Sequence, residues 1–157
     1  MIEILDEKLD RDTLKHYFIQ SSLAALILYI SLNLPFVTSA VLMAAIGSTA
    51  FVVFAMPSSK TARPRNVLGS HLSAGLIGLL FSQISVMFLP ELMSVSIALG
   101  VSIFVMVTLD VEHPPAGGTV IFLVLTPVVE AFVTLLFLAS IMALMSYMLK
   151  PYLRDLV

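Results

Sequence analysis

The chain has no cysteine and no tryptophan. The first absence excludes disulfides, thiol catalysis and cysteine-ligated metals. The second is unusual for a membrane protein, where tryptophan commonly marks the interface. Charge is scarce too: 11% of the 157 residues, against roughly 25% in a soluble domain. Its placement says more than its total. Eight charged residues lie within residues 1–15 and three within 150–157, which leaves seven for the 134 residues between. A soluble domain built this way would present almost nothing to water. With 59% hydrophobic residues, the chain reads as an all-α, polytopic transmembrane bundle surrounded by a lipid bilayer. A net charge of −2 gives no electrostatic footprint for nucleic acid. No phosphate-loop motif, metal-ligand histidine spacing or Ser/His/Asp set can be placed. The expectation is therefore a protein that is not an enzyme and needs no cofactor or metal.

What is present is a series of apolar runs. Residues 1–16 are acidic and mixed in charge, without the cleavage pattern of a signal peptide. Ile2, Leu5 and Leu9 repeat at helical spacing there, which predicts an amphipathic surface segment. Tyr17 to Ser59 carries no formal charge, too long for one span and right for two, with a turn at Asn33–Leu34–Pro35. A third span is expected over Val67–Leu89 and a fourth over Leu92–Leu109. A membrane domain over 17–149 and a short tail over 150–157 complete the organisation.

Basic residues set the orientation. Lys8, Arg11 and Lys15 precede the first span, and Lys60, Arg63 and Arg65 lie between the second and third. The intervening turns have no Lys or Arg, so the N-terminus and the basic loop are expected in the cytoplasm of a cell-membrane protein. One long fifth span would place Lys150 and Arg154 outside. The alternative, which the charges favour, is a re-entrant loop at His113, a half-helix over Ala116–Thr126, a turn at Pro127–Glu130 and a last span that brings the tail back inside. That gives five full spans and one half-helix. Coincidences at an offset of 50, among them Pro64 with Pro114, suggest parallel two-helix repeats. Small residues every fourth position mark packing faces at Ala40/Ala44/Ser48, Ser70/Ala74/Gly78/Ser82 and Ser94/Ala98/Ser102, within one subunit or in a homo-oligomer.

Two loops hold the polar chemistry: Pro57 to Asn66, followed by Gly69 and His71, and Asp110 to Thr119, which contains His113-Pro-Pro-Ala-Gly-Gly. Both open helices on one side, with Asn66 expected as an N-cap and Pro115 in a first turn. Helix N-termini favour anions, and Arg63 and Arg65 add donors suited to oxyanions. Gly117 and Gly118 permit close approach to the backbone. The expected substrate site is therefore Arg63, Arg65, Asn66, His71, His113, Gly117, Gly118 and Thr119. Each has a plain structural alternative: the arginines as topology determinants, the glycines as packing contacts, the histidines as helix-bonding groups, and Asp110 and Glu112 as partners of Arg63 or Arg65.

At His113–Thr119, and at Pro64-Arg-Asn66 with Gly69 and His71, the sequence resembles the HPP family of integral membrane proteins, across essentially the whole of 17–149. Pro64, Arg65, Asn66, Gly69, His71, His113, Pro114, Pro115, Ala116 and Gly117 follow its signatures. Arg63 and Gly118 depart from them, where Gln and Ala are expected. The resemblance implies a compact membrane domain, and plastid and cyanobacterial members are associated with nitrite transport. The expected function is thus a transporter or channel for a small inorganic anion, nitrite first. The competing classes are a membrane-embedded enzyme and an accessory or assembly subunit of a larger complex.

Overall fold

The computed structural model describes residues 11–157 and is all helical there. Six helices follow in order: α1 (Arg11–Leu32), α2 (Ala40–Ala55), α3 (Pro64–Met87), α4 (Glu91–Thr108), α5 (Ala116–Leu125) and α6 (Val129–Leu149). Single 3-10 turns cover Lys60–Ala62 and Lys150–Tyr152. By length and composition, α3, α4 and the last helix with its 3-10 turn are long and apolar enough to cross a membrane, while α2 and α5 are shorter apolar helices. The large side chains on their outer faces, such as Leu76, Leu80, Phe104, Phe137 and Leu144, are exposed, as expected for surfaces that meet lipid rather than water.

The shortest helix is the most enclosed. At 10 residues, α5 spans about 15 Å. It packs against α2, α3 and α4, and six of its residues are buried. The expected half-helix is therefore present, and the chain reverses after it into α6. The Ser70/Ala74/Gly78/Ser82 face of α3 is buried and meets α5 at Gly78, where an added Cβ would lie 2.8 Å from Leu123 Cβ and 3.0 Å from the Val120 carbonyl oxygen. At Gly75 an added Cβ would lie 2.0 Å from Cε2 of Phe132 on α6. Ser94, Ala98 and Ser102 of α4 are buried as well. The α2 stripe is different: Ala40, Ala44 and Ser48 are exposed, and α2 turns Ala45, Thr49 and Val53 inward instead.

The described termini meet on the face of the basic loop. Arg154 forms an ion pair with Asp12 at 2.8 Å, Asp155 accepts from the Ser58 N–H at 3.0 Å, and the Leu156 N–H donates to the Ala55 carbonyl at 2.8 Å. Gln20, buried on α1, holds this tail: its amide donates to the carbonyls of Phe54 and Arg154 and accepts from the Arg154 N–H. Lys150 and Arg154 thus follow the basic loop rather than the opposite face, as the reversal after α5 requires.

Three local expectations are corrected. Arg11–His16 belong to α1, which runs unbroken to Leu32, so the N-terminal segment continues into the first long helix without a break; the amphipathic pattern at Ile2, Leu5 and Leu9 lies outside the described residues. The N-cap of α3 is Arg63 rather than Asn66, because Pro64 is fixed at the φ of a first helical residue and loses no needed N–H there. Pro115 is the N-cap of α5 rather than part of its first turn.

Candidate functional site

The site begins where α4 ends. Asp110 has φ 58°, the left-handed region that Asp tolerates better than most residues. The Asp110 N–H bonds the Val107 carbonyl, and the Val111 N–H bonds that of Met106, the paired bonds of a Schellman closure. This reversal lays residues 111–115 across the start of α3. Gly69 makes room: a Cβ there would lie 3.0 Å from Val111 Cγ1. Asn66 Nδ2 then donates to the Glu112 carbonyl at 3.2 Å. Pro114 and Pro115 lead directly into α5. Gly118 brings α5 against α2, since a Cβ there would lie 2.9 Å from Ala45 Cβ.

Beneath this loop lies a closed polar cluster. His71 from α3 and His113 from the loop are fully buried, as are Thr49 from α2 and Thr119 from α5. The two rings stand edge to face with centroids 5.2 Å apart. Thr119 Oγ1 is 2.8 Å from His71 Nδ1, and His71 Nε2 is 3.0 Å from Thr49 Oγ1. The same hydroxyl is 3.2 Å from His113 Nε2. His113 Nδ1 is 2.8 Å from the Thr61 carbonyl oxygen. An apolar bundle leaves such groups no water, so each must find its partner inside the protein, and both histidines do.

The basic residues stand apart from this cluster. Lys60 bonds Asp110 and lies 3.2 Å from Glu112 Oε2, so both acids pair with Lys60 and not with Arg63 or Arg65. The hydrogen bond with Asp110, and then that with Glu112, raises the Lys60 pKa, and Lys60 in turn holds Asp110 below the usual carboxylate value. Arg65 is exposed and donates to the Leu109 carbonyl at 2.9 Å, which caps the C-terminus of α4. Arg63, Arg65 and Lys150 line a surface cleft of about 440 Å³ with Pro64 and Tyr147. The lining holds three cations and no acid.

The sequence-predicted residues therefore divide in two. His71, His113 and Thr119 meet in the core, with Gly118 packed behind them. Arg63 and Arg65 face the surface cleft. Asn66 ties the two loops together. Gly117 lies along an apolar groove of about 310 Å³ between α4 and the loop, beside Glu112, His113 and Pro114. The first N–H groups of α5, at Ala116, Gly117 and Gly118, bond the carbonyls of His113, Pro114 and Pro115, so this helix start is closed by its own loop. Sequence reasoning missed Thr49, which touches both histidines; nothing but a hydroxyl within an apolar run marked it. It also missed Lys60 as the partner of both acids.

Comparison with known proteins adds one finding. A family model described as HPP, transmembrane region, matches residues 10–151. No curated protein and no solved structure matches the chain.

Proposed function

This chain belongs to the HPP transmembrane family, and on that premise we propose that it is a transporter or channel for small inorganic anions, nitrite first among them. The observation that carries the reading is the pair of fully buried histidines, His71 and His113, the ionisable side chains among the buried polar residues described. Ionisable groups at such depth are expensive and typically serve a substrate or ion pathway. The cleft of Arg63, Arg65 and Lys150 supports it as the place where anions gather at the start of α3, since three cations in a lining without an acid raise the local anion concentration. The start of α3 adds the positive end of a 24-residue helix. In this reading the anion passes from the cleft toward His113 and Thr119 through a rearrangement of the HPP loop, with Asn66 and the Gly117–Gly118 backbone beside its path. The protein performs no chemical conversion, sits in the cell membrane with the basic face cytoplasmic, and works as a homo-oligomer.

The test is flux into proteoliposomes, comparing nitrite, nitrate, formate and chloride. Saturable nitrite uptake above protein-free vesicles is expected. Arg65→Gln should depress it, and Arg65→Lys should restore only part, because lysine lacks the planar fork. Normal uptake by a correctly folded Arg65→Gln protein would leave this arginine as an α4 cap and remove the cleft from the pathway.

A further inference from the structure

The buried cluster carries its own hydrogen count, and the count has one solution when both rings are neutral. A carbonyl oxygen only accepts, so the bond to Thr61 places a hydrogen on His113 Nδ1. His113 Nε2 is then a bare acceptor, and the hydroxyl 3.2 Å away must donate to it. Thr49 has a single hydrogen, so at its other contact it accepts, and His71 carries its hydrogen on Nε2. His71 Nδ1 is thereby bare and accepts from the Thr119 hydroxyl. All donors point one way, from Thr119 through His71, Thr49 and His113 to the Thr61 carbonyl.

Thr49 also has a second acceptor. Its Oγ1 lies 2.8 Å from the Ala45 carbonyl oxygen. If the hydroxyl hydrogen turns to Ala45, both lone pairs of Oγ1 are free for two N–H donors. His71 Nε2–H supplies one. His113 can supply the other only by gaining a proton on Nε2. The cluster therefore has two arrangements with every polar atom satisfied, which differ by one proton and one hydroxyl rotation, with no heavy atom displaced. A second proton on His71 would put two like charges on rings 5.2 Å apart, which is disfavoured.

We propose that the His71–Thr49–His113 cluster is a one-proton site, and that the proton it holds is the coupling ion for anion movement. The second half rests on the transport reading above. The step balances: one proton adds to His113 Nε2 and the cluster gains one positive charge, the intact Thr49 O–H rotates to donate to the Ala45 carbonyl, and release reverses both. A cationic imidazolium then faces the arriving anion and is neutral again when the anion has gone. The surroundings leave the charge to the histidines themselves. Helices α2 and α5 contain no ionisable residue, α4 only Glu91 at its start, and α6 only Glu130 and Tyr147 near its ends. The nearby loop acids, Asp110 and Glu112, are engaged by Lys60. On α3, Arg65 is turned to Leu109.

The experiment joins histidine ¹⁵N NMR of the full chain in bilayers to proteoliposome flux with a pH-sensitive dye inside. Near neutral pH, His113 should carry its hydrogen on Nδ1 and His71 on Nε2, and acidification should add one proton to the pair before any second. Nitrite uptake should acidify the vesicle interior above the protein-free background. Thr49→Val should reduce that acidification on the order of a hundredfold, the lower end of what a positioned proton carrier contributes, while Thr49→Ser retains it. Should Thr49→Val fail to fold, the tautomers and proton count of the wild type and of Thr49→Ser still decide the site. Reversed tautomers, or two protons taken up together, overturn the one-proton site. Saturable nitrite flux without acidification overturns the coupling and leaves anion transport intact. No saturable flux of any anion by folded protein overturns the transport reading, and the coupling with it.

Discussion

Gly78→Ala adds one methyl group where α3 and α5 come closest. The new Cβ would sit 2.8 Å from Leu123 Cβ and 3.0 Å from the Val120 carbonyl oxygen. Carbon–carbon contacts are ordinarily about 3.5–4.0 Å, so the helices must separate by roughly 1 Å. Val120 contributes backbone to this contact, which cannot turn aside as a flexible side chain can. Overpacking of this kind costs about 1–3 kcal/mol. Replacing a helical glycine with alanine recovers up to about 1 kcal/mol of propensity, so a net loss of about 1–2 kcal/mol is expected. Gly100 provides the control. It lies in α4 and faces outward, and a Cβ there meets nothing within 4 Å. Gly100→Ala should be neutral or stabilising. Reversible unfolding in mixed micelles, with helicity followed against SDS fraction, measures both. Gly78→Leu should do worse still, to the point of impaired folding. If Gly78→Ala proved as stable as Gly100→Ala, close approach of α5 to α3 would not be what holds the bundle together.

Further outcomes are expected. Gly75→Ala should destabilise through the Phe132 ring, and Phe132→Leu should recover part of the loss; a double-mutant cycle with no coupling would refute that contact. In Lys60→Met, Asp110 should titrate higher than in the wild type by ¹³C NMR. Because its folded pKa is depressed, the stabilisation it gives is present above the ordinary carboxylate range and lost as pH falls through the folded value, so wild type and variant should converge in acid. Gln20→Ala should free the tail, seen as faster hydrogen exchange at residues 154–156; unchanged protection would mean that Arg154 and Asp155 suffice. Asn66→Ala should lower stability by about 1 kcal/mol by removing the bond between the two loops, with thermal unfolding as the measure.

The outline of the fold was legible because it rests on bulk properties. Long uncharged runs set the helices, and Pro127 with Lys150 and Arg154 marked the short α5 and the return of the chain. The HPP loop was legible as chemistry, and the structure does gather His71, His113 and Thr119. The directions of side chains were not legible. Arg65 reads as an anion ligand by type, yet its guanidinium reaches the carbonyl that ends α4, 44 residues away in sequence. Thr49 and its neighbour Ser48 are equally plain hydroxyls in an apolar run. One is buried at the centre of the cluster and the other is exposed, a difference set by the rotation of α2 against α5. That rotation depends on Gly118 meeting Ala45, a contact between residues 73 positions apart in sequence.

The clasp between Gln20 and the tail bears on how the protein is made. Of the described helices α1 leaves the ribosome ahead of the rest, and it packs chiefly on α2. Its buried polar anchor, Gln20, needs the backbone of Arg154 as well as that of Phe54, and its exposed Asp12 pairs with the same Arg154. Until residue 154 has been synthesised, two of the Gln20 amide's three bonds have no partner, and α1 stays only partly seated during insertion. Seating of the first helix is therefore among the late steps of assembly. Chains released from the ribosome but cut short before Arg154 should hold α1 open to lipid-phase crosslinkers, and released chains that include residues 154–157 should close it.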